Sequence, residues 1–557
     1  MRSSFSPDRI RRPRVFAGAA RAALLTGLIL GATCGGSRSP SSPDAGLIVS
    51  IGIGEPKHLI PSSTTESNGS DVLNALFAPL VTYDAQFRPV ELAAESITSP
   101  DNRVWTIRLR PGWTFHNGEP VTSESYINAW NAGAYGPNAH DANGYFDKIQ
   151  GYKDLNPADA KTPPSAKKLS GLTKKDDLTF EVTLDQPYVN FKSFLGFPAL
   201  MPLPLAAFAD LASNKIAPAY AQAPIGQGPF KMKGTWQHDQ IIETERFASY
   251  AGPEKPRVAG VSFKIYQQLT TQYQDLLAGQ LDVVQHMPVE NLSTAKSDLG
   301  DRFRQSPSSV IQILAFPTFD KHYSRLEVRK AISMAIDRDE ISRAIFLGAE
   351  QPHRSFVSPL VPGYRANTCG EACEFNPAKA KALFDSVGGA AAVGGRIEIA
   401  YNVDGGHKAW VDATCNQLRR NLGVDCVGNP QPKFAELLIK LETKQPVGAF
   451  RMGWIFDYPV IENYLGPLYS THGSSNYYGY SNPQFDKLLA DGDKAPTLEA
   501  SLAFYGRAED LLARDLPVLP LRLMLNSYAH STRVTNVLMD LFNRTELLKL
   551  EPANPTR

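Results

Sequence analysis

The chain has 557 residues, of which 43% are hydrophobic, so it is long enough to form two or three domains with separate cores. Its 57 Lys and Arg residues nearly balance its 56 Asp and Glu residues, and the formal net charge is +1. This balance excludes the strongly basic surface typical of nucleic-acid binding or of a polybasic membrane contact, so no nucleic-acid partner is expected.

Residues 1–33 are predicted to be an export signal that is removed and takes no part in the fold. Residues 22–32 are apolar but too few to form a permanent membrane-spanning helix. They follow a basic region that holds five arginines, namely Arg2, Arg9, Arg11, Arg12 and Arg14. The Arg11-Arg12 pair favours twin-arginine export, but Pro13 and Arg14 depart from that pattern, so Sec export stays equally open.

Cys34 is predicted to be a lipid anchor. Residues 33–36, Thr-Cys-Gly-Gly, resemble a bacterial lipobox, in which the cysteine is lipidated and becomes the new N-terminus. Gly31 and Thr33 depart from the usual lipobox, so ordinary cleavage nearby is the alternative. Residues 34–46 would then be the lipidated cysteine and a flexible tether, because they are small, polar and rich in Ser, Gly and Pro.

The remaining chain is predicted to fold as a loop-rich α/β protein, since 42 Gly and 42 Pro residues imply many turns. Residues 47–53 are the first predicted strand, and residues 70–80 are a short helix. Residues 105–109 and 178–184 alternate apolar with polar side chains, which is the period of a half-buried strand. The predicted elements that follow are strands at 258–265, 309–316 and 397–401 and helices at 273–278, 325–347 and 410–422, with Asp337 and Glu340 beginning a second helix inside 325–347.

Four cysteines remain after Cys34, and they are predicted to form disulfides because their number is even and the chain is exported. Four cysteines allow three connectivities, of which we favour the local one, Cys369 with Cys373 and Cys415 with Cys426. A zinc site is the alternative, but spacings of three and ten residues fit a zinc module poorly. No metal and no cofactor are expected.

Several stretches carry a resemblance to one family. Residues 76–126, from LFAPLVTYDAQF to GEPVTSESY, are followed by GQGPF at 226–230, by RLEVRKAISMAIDRDEI at 325–341 and by YGYSNP at 478–483. In this order they resemble the family 5 bacterial extracellular solute-binding proteins, which feed peptide ABC importers. The resemblance covers residues 47 to 535, approximately.

The resemblance implies an α/β, two-lobed periplasmic-binding-protein-like fold of type II, in its three-domain peptide-binding variant, with a ligand cleft between the lobes. Lobe I would combine a core domain, residues 47–71, 211–305 and 520–557, with an inserted domain, residues 72–210. Lobe II would be residues 306–519. The lobes would close by a hinge motion near Ser306 and Pro520.

The stretch from 450 to 464, FRMGWIFDYPVIENY, is the predicted ligand-binding segment because it sets the acid Asp457 six residues after the base Arg451 in an apolar and aromatic run. By resemblance, Asp457 would bind the α-amino group of a peptide and Arg451 its carboxylate. The alternatives are that Asp457 only bonds nearby amides in a turn and that Arg451 pairs with a neighbouring acid such as Glu462.

Four further residues are candidate ligand contacts. Trp454 is expected to be a cleft wall, with core packing as its alternative. Tyr145 and Asn476 lie in segments that face the cleft in the family, although their local sequences match loosely. His472 follows the binding segment, and its alternative is a surface position.

No catalytic motif is found: the sequence has no G-x-S-x-G, no H-E-x-x-H and no Walker-type phosphate loop. The predicted function is therefore capture of di- or oligopeptides by a monomeric lipoprotein at the outer face of the cytoplasmic membrane or in the periplasm. Its partners would be the peptide, the subunits of an ABC permease and the membrane, through the N-terminal lipid. Alternatives are a non-peptide solute (a nickel chelate, a sugar or a signalling peptide), a secreted hydrolase, and a surface interaction protein that lost its pocket.

Overall fold

The computed structural model describes residues 46–84, 86–159 and 161–553. The predicted signal segment, Cys34 and all but the last residue of the tether lie outside these ranges. The strands are β1 Ile48–Ile53, β2 Val81–Tyr83, β3 Pro89–Glu91, β4 Ala94–Thr98, β5 Val104–Leu109, β6 Leu172–Lys174, β7 Thr179–Thr183, β8 Phe208–Asp210, β9 Lys215–Ile216, β10 Phe230–Met232, β11 Ile241–Arg246, β12 Gly260–Ile265, β13 Val283–Val284, β14 Phe303–Ala315, β15 Glu350–Pro352, β16 Arg396–Asn402, β17 Asp425–Gln431, β18 Ala449–Trp454, β19 Val518–His530, β20 Val534–Thr535 and β21 Glu551–Pro552. The α-helices are α1 Ser67–Leu76, α2 Ser123–Ala134, α3 Tyr152–Leu155, α4 Phe191–Phe194, α5 Leu269–Leu277, α6 Leu292–Leu299, α7 Leu326–Met334, α8 Arg338–Phe346, α9 Pro377–Ser386, α10 Lys408–Leu422, α11 Phe434–Glu442, α12 Glu462–Tyr469, α13 Pro483–Asp493 and α14 Leu498–Asp515.

Two long strands connect the halves of the molecule. Within the described residues, the largest sheet has eleven strands in the order β10-β11-β12-β1-β13-β19-β14-β18-β16-β17, with β15 paired to β19. Strands β14 and β19 have 13 residues each and pair antiparallel, with a register shift between Pro307 and Ile311. One half of each strand therefore belongs to the sheet around β1, and the other half belongs to the sheet around β18.

Two main hydrophobic cores lie on either side of these strands. The first core collects apolar residues of β1, β12, α1, α2 and the separate four-stranded sheet β4-β5-β7-β6. The second core collects apolar residues of α7, α10, α12, α14, β16 and β18. We refer to the parts of the chain built on the first and second cores as lobe I and lobe II. Tyr458 and Val460 follow β18 of lobe II but pack into the first core.

Most elements predicted from the sequence are present. The alternating residues form β5 and β7, which pair with each other, and residues 309–316 lie in the longer strand β14, apart from Phe316. Helices α7 and α8 divide the segment 325–347, and Asp337 caps α8 by accepting a hydrogen bond from the Glu340 amide at 2.9 Å. The second helix therefore begins where the sequence predicted it.

The helix predicted at residues 70–80 is corrected. Helix α1 covers Ser67–Leu76, so it begins and ends earlier than expected. A proline at position 79 disfavours helical backbone just before it. In addition, the Gly228 amide donates to the Leu76 carbonyl at 2.8 Å, and a Cβ at Gly226 would lie 1.9 Å from that carbonyl oxygen. Glycine is thus required at position 226, because a side chain there would collide with the backbone at the end of α1.

The predicted local disulfides are confirmed in the structure. Cys369 is bonded to Cys373, and Cys415 is bonded to Cys426. The second bond joins α10 to β17 within lobe II. Among the described residues, no three His, Cys, Asp or Glu side chains cluster as a metal ion would need. No helix in this part of the chain combines the length and apolarity needed to cross a bilayer.

Candidate functional site

Asp457 lies just beyond the end of β18, at a point where lobe I and lobe II meet. Its carboxylate accepts a hydrogen bond of 2.7 Å from the hydroxyl of Tyr145, a lobe I residue. The Asn463 side chain donates to the same oxygen, Oδ2, at 3.0 Å. The structure therefore brings together two of the residues predicted from the sequence, and a hydrogen bond between them joins the lobes.

Asn463 holds the Asp457 segment in place, and the sequence analysis missed it. Its side chain is fully buried at the start of α12, and its Oδ1 accepts from the Asp457 amide at 2.8 Å and from Trp454 Nε1 at 3.2 Å. One amide side chain thus fixes both the backbone and the carboxylate of Asp457. The Asn lies six residues after the Asp in the same aromatic run, and that spacing was the available signal.

Burial raises the pKa of Asp457 to about 6, and the hydrogen bonds from Tyr145 and Asn463 oppose this shift. Burial also raises the pKa of Tyr145 well above its usual value, so this hydroxyl stays a donor. A carboxylate in such a place is stabilised by any cation that can reach it. A primary ammonium with its three donors has the matching charge and hydrogen-bonding capacity.

A second group of buried polar residues lies next to Asp457. Glu462 accepts hydrogen bonds from Tyr188 of lobe I at 2.8 Å and from Tyr458 at 2.9 Å. Lys148 of lobe I forms an ion pair of 2.9 Å with Asp493. Glu462 is therefore held by hydroxyl groups from both lobes. We call Asp457, Glu462 and their partners Tyr145, Tyr188 and Tyr458 the acid end of the cleft.

Lys148 faces the carboxylates of Asp493 and Glu462, and its positive charge influences the pKa of Glu462. Burial and the nearby charge of Asp493 raise the pKa of Glu462 to about 7, while Lys148 and the two tyrosines oppose the shift. Burial also raises the pKa of Asp147, which is next to Lys148. These contacts join the lobes around Glu462, a group that takes up or releases a proton near neutral pH.

Arg451 lies on β18, six residues before Asp457. Its guanidinium is 5.2 Å from the centre of the Phe434 ring. Arg451 faces Leu314 of β14, and Gly453 faces Gln312, so these residues share one face of the sheet. Burial raises the pKa of Glu350, and the positive charges of Arg522 and Arg451 oppose this shift. Burial, together with the positive charges of Arg451 and Arg522, lowers the pKa of His407.

A buried arginine accompanies Arg451. Arg522 Nε donates to the Glu350 carboxylate, and both side chains are nearly inaccessible. The Arg522 guanidinium lies 4.5 Å from the ring centres of both Phe346 and Trp410. We call Arg451, Arg522, Glu350 and His407 the cation end of the cleft. Of these four, the sequence predicted only Arg451, because the others come from segments far apart in the chain.

The other predicted contacts lie in different surroundings. Trp454 is partly buried at the end of β18 and is tied to Asn463, so it serves the acid end through that residue. Asn476 donates to the Ser470 and Tyr480 carbonyls at 2.9 and 2.6 Å and so supports a loop. His472 is exposed. The structure brings neither Asn476 nor His472 to Asp457, and their ligand contacts stay predictions.

Comparisons with known proteins agree with this architecture. The family model of the bacterial extracellular solute-binding proteins, family 5 middle region, matches residues 88–476. The oligopeptide-binding protein OppA of Bacillus subtilis is 26% identical over 500 residues, which are 87% of this chain and 89% of that protein.

Solved structures match the fold. The Escherichia coli murein tripeptide binding protein MppA matches with a TM-score of 0.79 at 22% identity, over 91% of this chain and 98% of that one. Haemophilus influenzae OppA in complex with the peptide RPPGFSPFR gives 0.79 at 22% identity, over 92% of this chain and 100% of that one. An unliganded open form of MppA matches with a TM-score of 0.67 at 22% identity, over 90% of this chain and 97% of that one. The predicted two-lobed fold is confirmed.

Proposed function

Because the chain belongs to the family 5 bacterial extracellular solute-binding proteins, we propose that it captures peptides for an ABC importer. A di- or oligopeptide would lie extended in the cleft between the lobes. Asp457 and Tyr145 would bind its α-amino group, and Arg451 would bind its carboxylate. The names of the relatives, which include two oligopeptide-binding proteins and a murein tripeptide-binding protein, support this ligand class.

The observation that carries the proposal is the hydrogen bond between Tyr145 and Asp457. It joins the lobes at a partly buried carboxylate whose pKa is raised to about 6. An ammonium bound at this carboxylate would repay the cost of burying the charge and would contact both lobes at once. Binding would thereby favour the closed arrangement over the open one, since extra contacts form only when the lobes meet.

The proposed cellular location and oligomeric state are those predicted from the sequence. The chain would be exported, anchored through a lipid on Cys34 at the outer face of the membrane, and monomeric. It would pass the peptide unchanged to the permease and would not act as an enzyme. Trp454 would form part of the cleft wall beside the anchor, and the domain boundaries predicted above would give lobe I its inserted domain.

Calorimetric titration with tri-alanine tests this function. We expect the wild-type chain to bind tri-alanine and to bind N-acetylated tri-alanine at least 100-fold more weakly, because acetylation removes the positive charge. Asp457→Asn should cause a similar loss. Asp425→Asn, which changes an exposed acid of lobe II paired with Arg396, should have no effect.

Two results would contradict the proposal. Equal affinity for the free and acetylated peptides would show that Asp457 does not anchor an ammonium. Cleavage of the recovered tripeptide, detected by mass spectrometry, would instead indicate a hydrolase.

A further inference from the structure

A cavity of about 110 Å³ lies at the cation end. Its lining includes His286, which follows β13, Leu292, which begins α6, and Gln312, Glu350 and His407. Asn526 and Arg522, on the connecting strand β19, complete the polar part of its wall. A single buried water needs only about 10–15 Å³, so the cavity has room for a larger group.

Three polar atoms in this wall have no hydrogen-bond partner among the described residues. They are Gln312 Oε1, His407 Nε2 and Asn526 Nδ2. Their side chains are deeply buried, with exposures of 5%, 7% and 2%. Since buried polar groups in native proteins are nearly always hydrogen-bonded, three such atoms lining one cavity indicate a polar occupant.

Neighbouring contacts fix the role of each atom. Trp410 Nε1 donates to His407 Nδ1 at 3.1 Å, so the proton of the neutral imidazole is on Nε2, which is a donor. Burial, with the charges of Arg451 and Arg522, lowers the pKa of His407 and keeps the ring neutral. Gln312 Nε2 donates to Met524 Sδ at 3.1 Å, which leaves Oε1 as an acceptor. The wall thus offers two donors, His407 and Asn526, and one acceptor, Gln312.

We propose that this cavity is a side-chain pocket of the peptide site and selects a ligand residue with a primary carboxamide, namely Gln or Asn. The carboxamide oxygen accepts from His407 Nε2 and Asn526 Nδ2, and its NH₂ group donates to Gln312 Oε1. This inference rests on the proposed function, because the amide arrives on a peptide held at Asp457 and Arg451.

Other side chains match the pocket less well. An aliphatic side chain would leave all three buried polar atoms unpaired, which is costly. A carboxylate has no donor for Gln312 Oε1, and it would approach the negative charge of Glu350 in the same wall. Arg451 and Arg522 would attract a carboxylate, but Arg522 is already paired with Glu350. Of the aliphatic, carboxylate and carboxamide groups, only the carboxamide both accepts from the two donors and donates to Gln312 Oε1.

Titrations of the full chain with a set of tripeptides test the pocket. Each position of tri-alanine is replaced in turn by Gln, Leu or Glu. At one position we expect Gln to bind about tenfold more tightly than Leu and also more tightly than Glu. Gln312→Met and Asn526→Leu should each reduce that Gln-to-Leu ratio toward one.

The matched control is Gln417→Met, which makes the same substitution at a buried Gln of lobe II that contacts Asp337 and Glu340 instead of the cavity. This variant should keep the Gln-to-Leu ratio of the wild type. If a variant does not fold, the Gln-to-Leu affinity ratio of the wild-type chain by itself tests the proposal.

Each outcome is informative. Tripeptides that bind without preference for Gln would overturn the proposal and leave water as the only occupant. A preference for Glu over Gln would also overturn it and would assign the pocket to a carboxylate. If no tripeptide binds, both the proposed function and the pocket are rejected, whereas failure of selectivity alone leaves the function intact.

Discussion

The two ends of the cleft contain buried charges, but they accommodate them differently. At the acid end, Glu462 is held by two tyrosine hydroxyls, and its pKa is raised to about 7. At the cation end, the Arg522 guanidinium is paired with Glu350 and lies between two aromatic rings. A carboxylate can bind a proton when burial is costly, whereas a guanidinium keeps its charge. The cation end therefore needs a fixed counter-ion, and the acid end does not.

The largest effect should come from breaking the pair at the cation end. Glu350→Ala leaves Arg522 buried without its carboxylate and should lower the free energy of unfolding by about 3–5 kcal/mol. Urea denaturation at pH 7 measures this change. The double variant Glu350→Ala, Arg522→Met should recover most of the loss, because no charge then stays buried. If the free energy of unfolding of Glu350→Ala were within about 1 kcal/mol of the wild-type value, the cation end would not need its counter-ion.

The matching change at the acid end should cost less. Lys148→Met removes the cation that faces Asp493 and Glu462 and should lower the free energy of unfolding by about 2 kcal/mol at pH 8. The loss should shrink at pH 5, since Glu462 can then be protonated. Denaturation of the wild type and the variant at both pH values measures the difference. An equal loss at pH 5 and pH 8 would show that proton uptake does not relieve this site.

Glu462→Gln should stabilise the protein in alkaline medium. The pKa of Glu462 is raised to about 7 in the folded chain, against about 4.3 when unfolded, so folding favours the protonated form. The stability from that proton is complete below the unfolded pKa and is lost as the pH rises through 7. Glutamine keeps the shape without the charge, so its advantage over the wild type should grow by about 1–2 kcal/mol from pH 5 to pH 8.

Glu95→Gln is the control for this prediction, since Glu95 is an exposed acid of lobe I paired with Arg108. Its unfolding curve should follow that of the wild type at every pH. A Glu462→Gln variant with no such pH-dependent gain would mean that Glu462 stays charged in the folded chain.

The affinity for a peptide bound at Asp457 should rise with pH, whereas the stability of the wild-type chain at Glu462 falls with pH. A bound ammonium requires the carboxylate, but the pKa of Asp457 is raised to about 6, so more of the free protein is protonated as the pH falls. Affinity for tri-alanine should therefore be about tenfold lower at pH 5 than at pH 7.5. Calorimetry over this range, with Asp457→Asn as the reference that lacks the titrating group, measures the effect. A constant affinity would exclude a titrating anchor.

The smallest effect concerns the support of the anchor. Trp454→Phe removes one donor to Asn463 and keeps most of the ring, while the Asp457 amide still bonds Asn463. The free energy of unfolding should fall by about 1 kcal/mol, and the affinity for tri-alanine should fall no more than about threefold. An affinity loss as large as that of Asp457→Asn would make Trp454 a direct ligand contact.

Parts of the site could be predicted because their signals are local. Asp457 and Arg451 stand in one short segment with a distinctive composition, and Asp337 with Glu340 marked a helix start that is present. Tyr145 was predicted as a ligand contact through the family resemblance, and in the structure its hydroxyl donates a hydrogen bond to Asp457. Asn463 was missed although it is only six residues from Asp457, because that spacing alone does not show that its amide bonds both the backbone and the carboxylate of Asp457.

The sequence by itself determined the α/β elements, the local disulfide pairing and the candidate anchor segment, since periodicity, capping and short spacings act between neighbours in the chain. Only the tertiary structure decided which distant residues meet. It placed Tyr188 against Glu462, Glu350 against Arg522, and Gln312, His407 and Asn526 around one cavity. These contacts depend on how the two long strands β14 and β19 connect the lobes. Burial shifts the pKa of a carboxyl group and separates a polar atom from water, and burial follows from the tertiary structure, since no local sequence pattern encodes it.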